Sequence, residues 1–149
     1  MTGQALIFKH TTPVQIRFTD IDMMQHVTNS MYFSYCDIAR ITYFNEVLEE
    51  KIGQSSESLV IASVTIDFLN PIFMDENIVI HTRTVKIGNK SIHTLQRIIN
   101  INSGQEKAIV RTVLSGFDYV QQQPIVIPQK WKDKLNAFDT GIEIKTTQQ

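Results

Sequence analysis

The chain has 149 residues, 42% hydrophobic and 19% charged, and its 14 basic and 15 acidic side chains leave a formal net charge of -1. This is the profile of a globular protein of about one domain, and the charge balance excludes a general pull toward nucleic acid or an anionic membrane beyond what a local patch could exert. A lone cysteine, Cys36, excludes an intramolecular disulfide framework and points to a reducing, cytoplasmic compartment.

No window approaches ~18 consecutive apolar residues, so no membrane-spanning helix is expected. The first 13 residues lack the basic start and long apolar stretch of a secretory leader. Taken in order, residues 14–19 (VQIRFT) alternate apolar and polar and predict a half-buried strand. Residues 30–50 predict one long helix, with Tyr32, Tyr35, Cys36, Ala39, Tyr43 and Val47 recurring on one face. Asn29 stands where an N-cap is wanted, and Gly53 suits the helix end.

Four strands follow. Residues 59–69 alternate strictly, with Val60, Ala62, Val64, Ile66 and Phe68 on one face, and Asn70-Pro71 ends the run. Residues 77–87, 91–102 and 107–120 are further strands, separated by the turns Gly88-Asn89 and Ser103-Gly104. Pro128 opens a short amphipathic helix with Trp131, Leu135 and Phe138, and residues 139–149 read as a loose tail. Helix and strands do not alternate, so the fold class is α+β with a mostly antiparallel sheet of about five strands curled around the long helix. The sheet's edges are left for a partner subunit.

Between the first strand and the long helix lies RFTDIDMMQHVTNSMY, residues 17–32, unusually rich in polar side chains. With Asp37-Ile38-Ala39-Arg40, Phe68-Leu69-Asn70-Pro71 and the turn Gly88-Asn89-Lys90-Ser91, it resembles the hotdog-fold 4-hydroxybenzoyl-CoA thioesterase family of acyl-CoA thioesterases. In that family's pattern an Arg-ended strand is followed by D-x-D, G-H-V-N-N and a tyrosine. Here these read Arg17, Asp20 and Asp22, Gln25-His26-Val27-Thr28-Asn29, and Tyr32. Gln25 replaces the usual glycine and Thr28 an asparagine. The resemblance covers residues 13 to 138. It implies a hotdog fold, a homodimer or homotetramer with sites at subunit interfaces, an acyl-CoA substrate and no cofactor beyond the coenzyme A of that substrate.

Thioester hydrolysis needs a carboxylate beside the carbonyl carbon and N–H donors aimed at its oxygen. A loop entering a helix can supply both, because helix N-termini present unpaired N–H groups and partial positive charge. The amides around Asn29 and Ser30 are the candidate oxyanion site. The resemblance implies that Asp22 is the catalytic carboxylate, as base or nucleophile; alternatively it closes a turn. His26 is a general base or an orienting residue. Gln25, Ser30 and Tyr32 are candidate substrate contacts. Lys90 and Ser91 either bind coenzyme A phosphates or form a solvated hairpin end.

Asp20 reads as structural, bonding loop amides or pairing with Arg17. Asp37 and Arg40 read as a surface pair, and Cys36 as a small core residue. Asp20, Asp22 and His26 lack the cysteine or helically spaced second histidine of a metal site, so no metal is expected. A second reading of the fold is a binding module for acyl-CoA or an acyl carrier protein, or a dehydratase.

Overall fold

The computed structural model describes residues 6–145. The elements in chain order are β1 (His10–Pro13), α1 (Asn29–Leu48), β2 (Glu57–Phe68), β3 (Ile78–Ile87), β4 (Ser91–Asn100), β5 (Glu106–Asp118), β6 (Gln123–Pro124), α2 (Gln129–Phe138) and β7 (Glu143–Ile144). The main sheet runs β1-β3-β4-β5-β2 and is antiparallel throughout, with the short β6 and β7 added to β5 and β3. This is the expected hotdog arrangement, a curled sheet holding one long helix. Among the described residues no helix is long and apolar enough to cross a membrane.

The helix forms where its periodicity placed it. Tyr32, Tyr35, Cys36, Ala39, Tyr43 and Val47 are all buried. The core they enter has two halves. Cys36 and Ala39 meet Ile78, Ile80, Ile98 and Val110 toward the start of α1. Tyr43 and Leu48 meet Ile87, Ile92, Leu114, Trp131 and Leu135 toward its end. Between the halves, on α1 and all three central strands, lie Arg40, Thr82, Thr84, Thr94, Gln96 and Thr112, each buried. The Arg40 guanidinium donates to Asp37 Oδ1 (2.8 Å), Gln96 Oε1 (3.3 Å) and Thr112 Oγ1 (3.2 Å). Gln96 Nε2 donates to Thr82 Oγ1 and to the Cys36 carbonyl, both at 3.1 Å. Arg40 is therefore not half of a surface pair: only Asp37 is exposed, and Arg40 crosses from helix to sheet.

Four further expectations change. Residues 14–19 do not form a ladder; the strand lies upstream at His10–Pro13. Val14 and Ile16 still pack on the core, which preserves the alternation. The ladder stops because β3 begins at Ile78, whose carbonyl already takes the Val14 amide (2.9 Å), and past that point Asp20 Oδ2 accepts the Arg17 amide (2.9 Å) where Phe18–Asp20 forms a 3-10 turn. In β2 a bulge between Ile61 and Ser63 breaks the period-two face. Val64 and Ile66 pack inward on one side of it and Leu59 on the other, while Val60 and Phe68 are exposed. The helix ends at Leu48 with Glu49 in the left-handed region (φ 58°), ahead of Gly53. The segment after α2 is tied down as far as residue 145. Glu143–Ile144 pairs with β3, Lys145 N donates to the Ile87 carbonyl (2.8 Å), and the buried Arg83 donates to the Thr140 carbonyl. The rest of the expected tail, 146–149, lies outside the described residues, as do residues 1–5 of the expected leaderless start.

Candidate active site

The loop before α1 is built on two aspartates with different tasks. Asp20 is 4% exposed. Its Oδ2 accepts the Arg17 amide and, at 2.5 Å, the Tyr35 hydroxyl. Burial and that carboxylate push the Tyr35 phenol up, so it remains a donor. The Asp20 carbonyl accepts the Thr28 amide (2.8 Å) and so fixes where the helix begins. The structural reading of Asp20 holds, through the backbone of Arg17 rather than its guanidinium.

Asp22 is exposed at the loop's turn. Its amide donates to the His26 carbonyl (2.8 Å), its carbonyl accepts the Gln25 amide (3.1 Å), and Ile21 bridges to Val27. Its Oδ1 accepts the Met24 amide (2.9 Å) and the His26 amide (3.2 Å). No hydrogen bond among the described residues engages Oδ2. One carboxylate oxygen thus closes the loop while the other remains open to solvent or substrate.

Gln25 has φ +68°, the left-handed conformation that glycine adopts without penalty. That explains the glycine in the family's pattern at this position. His26 contributes its backbone to the loop, while its ring meets Phe73 edge-on with centroids 5.1 Å apart. The imidazole makes no hydrogen bond among the described residues, so any orienting role of His26 runs through its main chain and this packing.

Asn29 is not the N-cap. Thr28 holds that place with extended backbone (φ -60°, ψ 138°), and its side chain makes no capping bond. Asn29 and Ser30 are the first two helical residues. Met31 N bonds back to the Thr28 carbonyl (2.9 Å), while the amides of Asn29 and Ser30 have no acceptor among the described residues. The oxyanion candidates are therefore unspent donors at the positive end of a 20-residue helix.

Tyr32 is 2% exposed and packs edge-on against Phe68. It supports the wall of the site from within the core, and this subunit offers its ring no free face for a substrate. Cys36 is buried, and burial pushes its thiol up to about 12, far from a thiolate. Among the described residues no three His, Cys, Asp or Glu side chains converge on a metal-sized position.

Lys90 and Ser91 occupy the β3–β4 turn, where the Gly88 amide donates to the Ser91 carbonyl (2.8 Å). This turn is not brought to the loop. Ser91 opens β4, whereas the loop touches Ile72 and Phe73 near Asn100 at the other end of that strand. Nine residue steps along β4 separate the two ends by roughly 30 Å.

Two grooves flank α1. One of about 370 Å³ lies toward β1, lined by Val14, Arg17, Met31, Tyr35 and Ile38 beside the loop. The other, about 380 Å³, lies toward β2 and is lined by Arg40, Ile41, Phe44, Leu59, Ile61 and Leu114. Met31 lines the first groove, whereas Met23 and Met24, on the loop, are 95% and 71% exposed. Periodicity gave no hint of the Tyr35–Asp20 bond or the depth of Arg40, since both partners of Arg40 on the sheet lie more than 50 residues away.

Residues 16–135 match the sequence model of the thioesterase-like superfamily. The uncharacterized protein YsmA of Bacillus subtilis strain 168 is 28% identical over 86 residues, 57% of this chain and 57% of YsmA, so the match spans little more than half of that relative. Among solved structures, the PA5185 protein of Pseudomonas aeruginosa strain PAO1 is similar with a TM-score of 0.79 and 25% identity, over 91% of this chain and 95% of that one. A thioesterase of Thermus thermophilus, solved with coenzyme A and Zn, is similar with a TM-score of 0.78 and 26% identity, over 87% and 93% of the two chains.

Proposed function

The chain belongs to the thioesterase-like superfamily, and on that premise we propose that it hydrolyses an acyl-CoA thioester to the free acid and coenzyme A. One observation carries the reading: the unspent amides of Asn29 and Ser30 open a long helix directly after a loop that leaves one oxygen of Asp22 unengaged. The amides stabilise charge growing on the carbonyl oxygen, a contribution of about 10²–10³ in rate per donor. Asp22 activates the attacking water or attacks the carbonyl itself. Gln25 and Ser30 border the acyl group, and His26 holds the loop's shape. No metal or redox group is required, and coenzyme A enters as part of the substrate.

The working unit in this proposal is at least a dimer of one thioesterase-like domain per chain. The long edge strand β2 carries exposed Val60 and Ile61, and the outer face of α1 carries exposed Phe33, Ile38 and Ile41. A helix apolar on both faces and a bare apolar edge both suit a second copy. Because Lys90 and Ser91 lie across the sheet from the loop, one coenzyme A touching both draws them from different subunits.

The test is thiol release from a panel of acyl-CoAs, short and long aliphatic and aromatic. Turnover of one class supports hydrolysis and names the acyl group. Binding of acyl-CoA without thiol release from any member overturns it in favour of a binding module.

A further inference from the structure

The residue that the site description leaves unused is Lys107. It is 1% exposed, although lysine is almost never buried without a partner. Ile98 of β4 pairs with Ala108 and Ile99 with Glu106, so Lys107 is the extra residue of a β-bulge. Bulges re-aim a side chain, and they concentrate next to active sites. Here the ammonium is aimed under the β2–β3 connection. It donates to the Pro71 carbonyl (2.9 Å), Glu76 Oε2 (2.8 Å) and Gln105 Oε1 (2.7 Å). The Lys107 carbonyl also accepts the amides of Leu69 (2.9 Å) and Asn70 (3.2 Å).

Glu76 completes the clamp. Its Oε1 accepts the Phe73 amide (2.8 Å) and its Oε2 also accepts Asn100 Nδ2 (3.0 Å). Burial pushes its carboxyl up, but the hydrogen bonds from Lys107, Phe73 and Asn100 and the lysine charge outweigh that and hold it below its ordinary value. The segment so fixed makes two contacts with the candidate active-site loop. The Ile72 carbonyl accepts the Val27 amide (2.9 Å), and Phe73 packs on the His26 ring.

We propose that Lys107 and Glu76 are positioning residues for thioester hydrolysis: they hold residues 71–76 so that Ile72 and Phe73 set the loop 21–28, and with it Asp22 and the first amides of α1. This rests on the thioesterase reading. Neither residue touches the reacting atoms. A misplacement of about 1 Å from a distant change can cost 10²-fold in rate, so the effect belongs on kcat.

The test compares wild type, Lys107→Met, Glu76→Gln and Leu135→Ala. The last removes an apolar side chain from the far half of the core. Each is assayed with the acyl-CoA that wild type turns over best, at a temperature where near-ultraviolet circular dichroism shows it folded. Hydrogen exchange is followed in parallel. Lys107→Met is expected to lose about 10–100-fold in kcat with KM within threefold, and to exchange faster across 21–30 but not across 129–138. Glu76→Gln, which keeps an acceptor for the Phe73 amide, gives the same pattern more weakly and stands in should Lys107→Met not fold. Leu135→Ala keeps kcat.

If wild type is active and both clamp variants keep its kcat and its exchange over 21–30, the positioning role is wrong and the thioesterase reading stands. If wild type releases no thiol, the thioesterase reading falls. Unchanged exchange over 21–30 would then overturn the clamp as well, whereas faster exchange would uphold it as what shapes this loop.

Discussion

The two oxygens of Asp22 separate its structural task from the chemical one proposed for it, and Asp22→Asn exploits this. The loop bonds from Met24 and His26 both end on Oδ1, which the asparagine amide oxygen can replace. A hydrogen bond to a charged acceptor contributes about 1.5–3 kcal/mol and one to a neutral acceptor about 0.5–1.5 kcal/mol. The loop is exposed, so the difference is discounted, and the two bonds together lose about 1 kcal/mol. For a chain of this length that lowers Tm by about 2–4 °C. The same substitution removes the carboxylate that the loop exposes. Loss of a positioned base costs about 10²–10⁴ in rate, or about 3–5 kcal/mol on the barrier. Asp22→Ala loses both loop bonds, and so more stability, at a similar loss of rate. The assay is thiol release under saturating substrate, with thermal melts of all three proteins. Asp22→Asn turnover within threefold of wild type would show that the residue only closes its turn.

Three further outcomes are expected. Gln25→Gly relieves a left-handed backbone at φ +68° and raises the unfolding free energy by about 0.5 kcal/mol, read as a higher urea midpoint at unchanged m; a lower midpoint refutes the strain. Ile61→Lys on the exposed edge strand yields a monomer by sedimentation and abolishes turnover, whereas an active monomer contradicts a site shared between subunits. The Glu76 carboxyl is held below its ordinary 4.5 in the folded chain, so the stability it contributes is present above that value and is lost as pH falls through the folded one. Urea midpoints of wild type should therefore fall more steeply below about pH 4.5 than those of Glu76→Gln, and parallel curves would refute the assignment.

Most of the fold was legible because its signals are local. The buried face of α1 follows from spacings of three and four, and strands β3 to β5 lie within about two residues of where alternation and turn residues set them. The errors share a physical cause, competition from contacts distant in sequence. The alternation of 14–19 is real, but its partner strand β3, more than 60 residues on, begins at Ile78 and leaves nothing beyond Val14 to pair with. Val60 fits a buried face until a bulge between it and Val64 turns the strand. Arg40 reads as solvated beside Asp37, because nothing nearby reveals Gln96 and Thr112 above it. The loop itself was readable as a motif. The one-residue shift of the cap from Asn29 to Thr28 was not, since it depends on the Asp20 carbonyl. Lys107 stayed hidden because a bulge, invisible to periodicity, decides where it points.

The polar belt through the middle of the core also bears on how the helix finds its place. A helix on a uniformly apolar sheet could slide by one turn, about 5.4 Å, and bury nearly the same area. Here such a slip would carry the Arg40 charge away from Gln96 and Thr112 into a purely hydrocarbon layer. It would also part Tyr43 from Thr84 and Asp139. Unpaired buried charge is far costlier than lost contact area. The belt thus acts as an index mark along α1, and the position of the helix N-terminus over its loop is set from the middle of the protein as well as from its end.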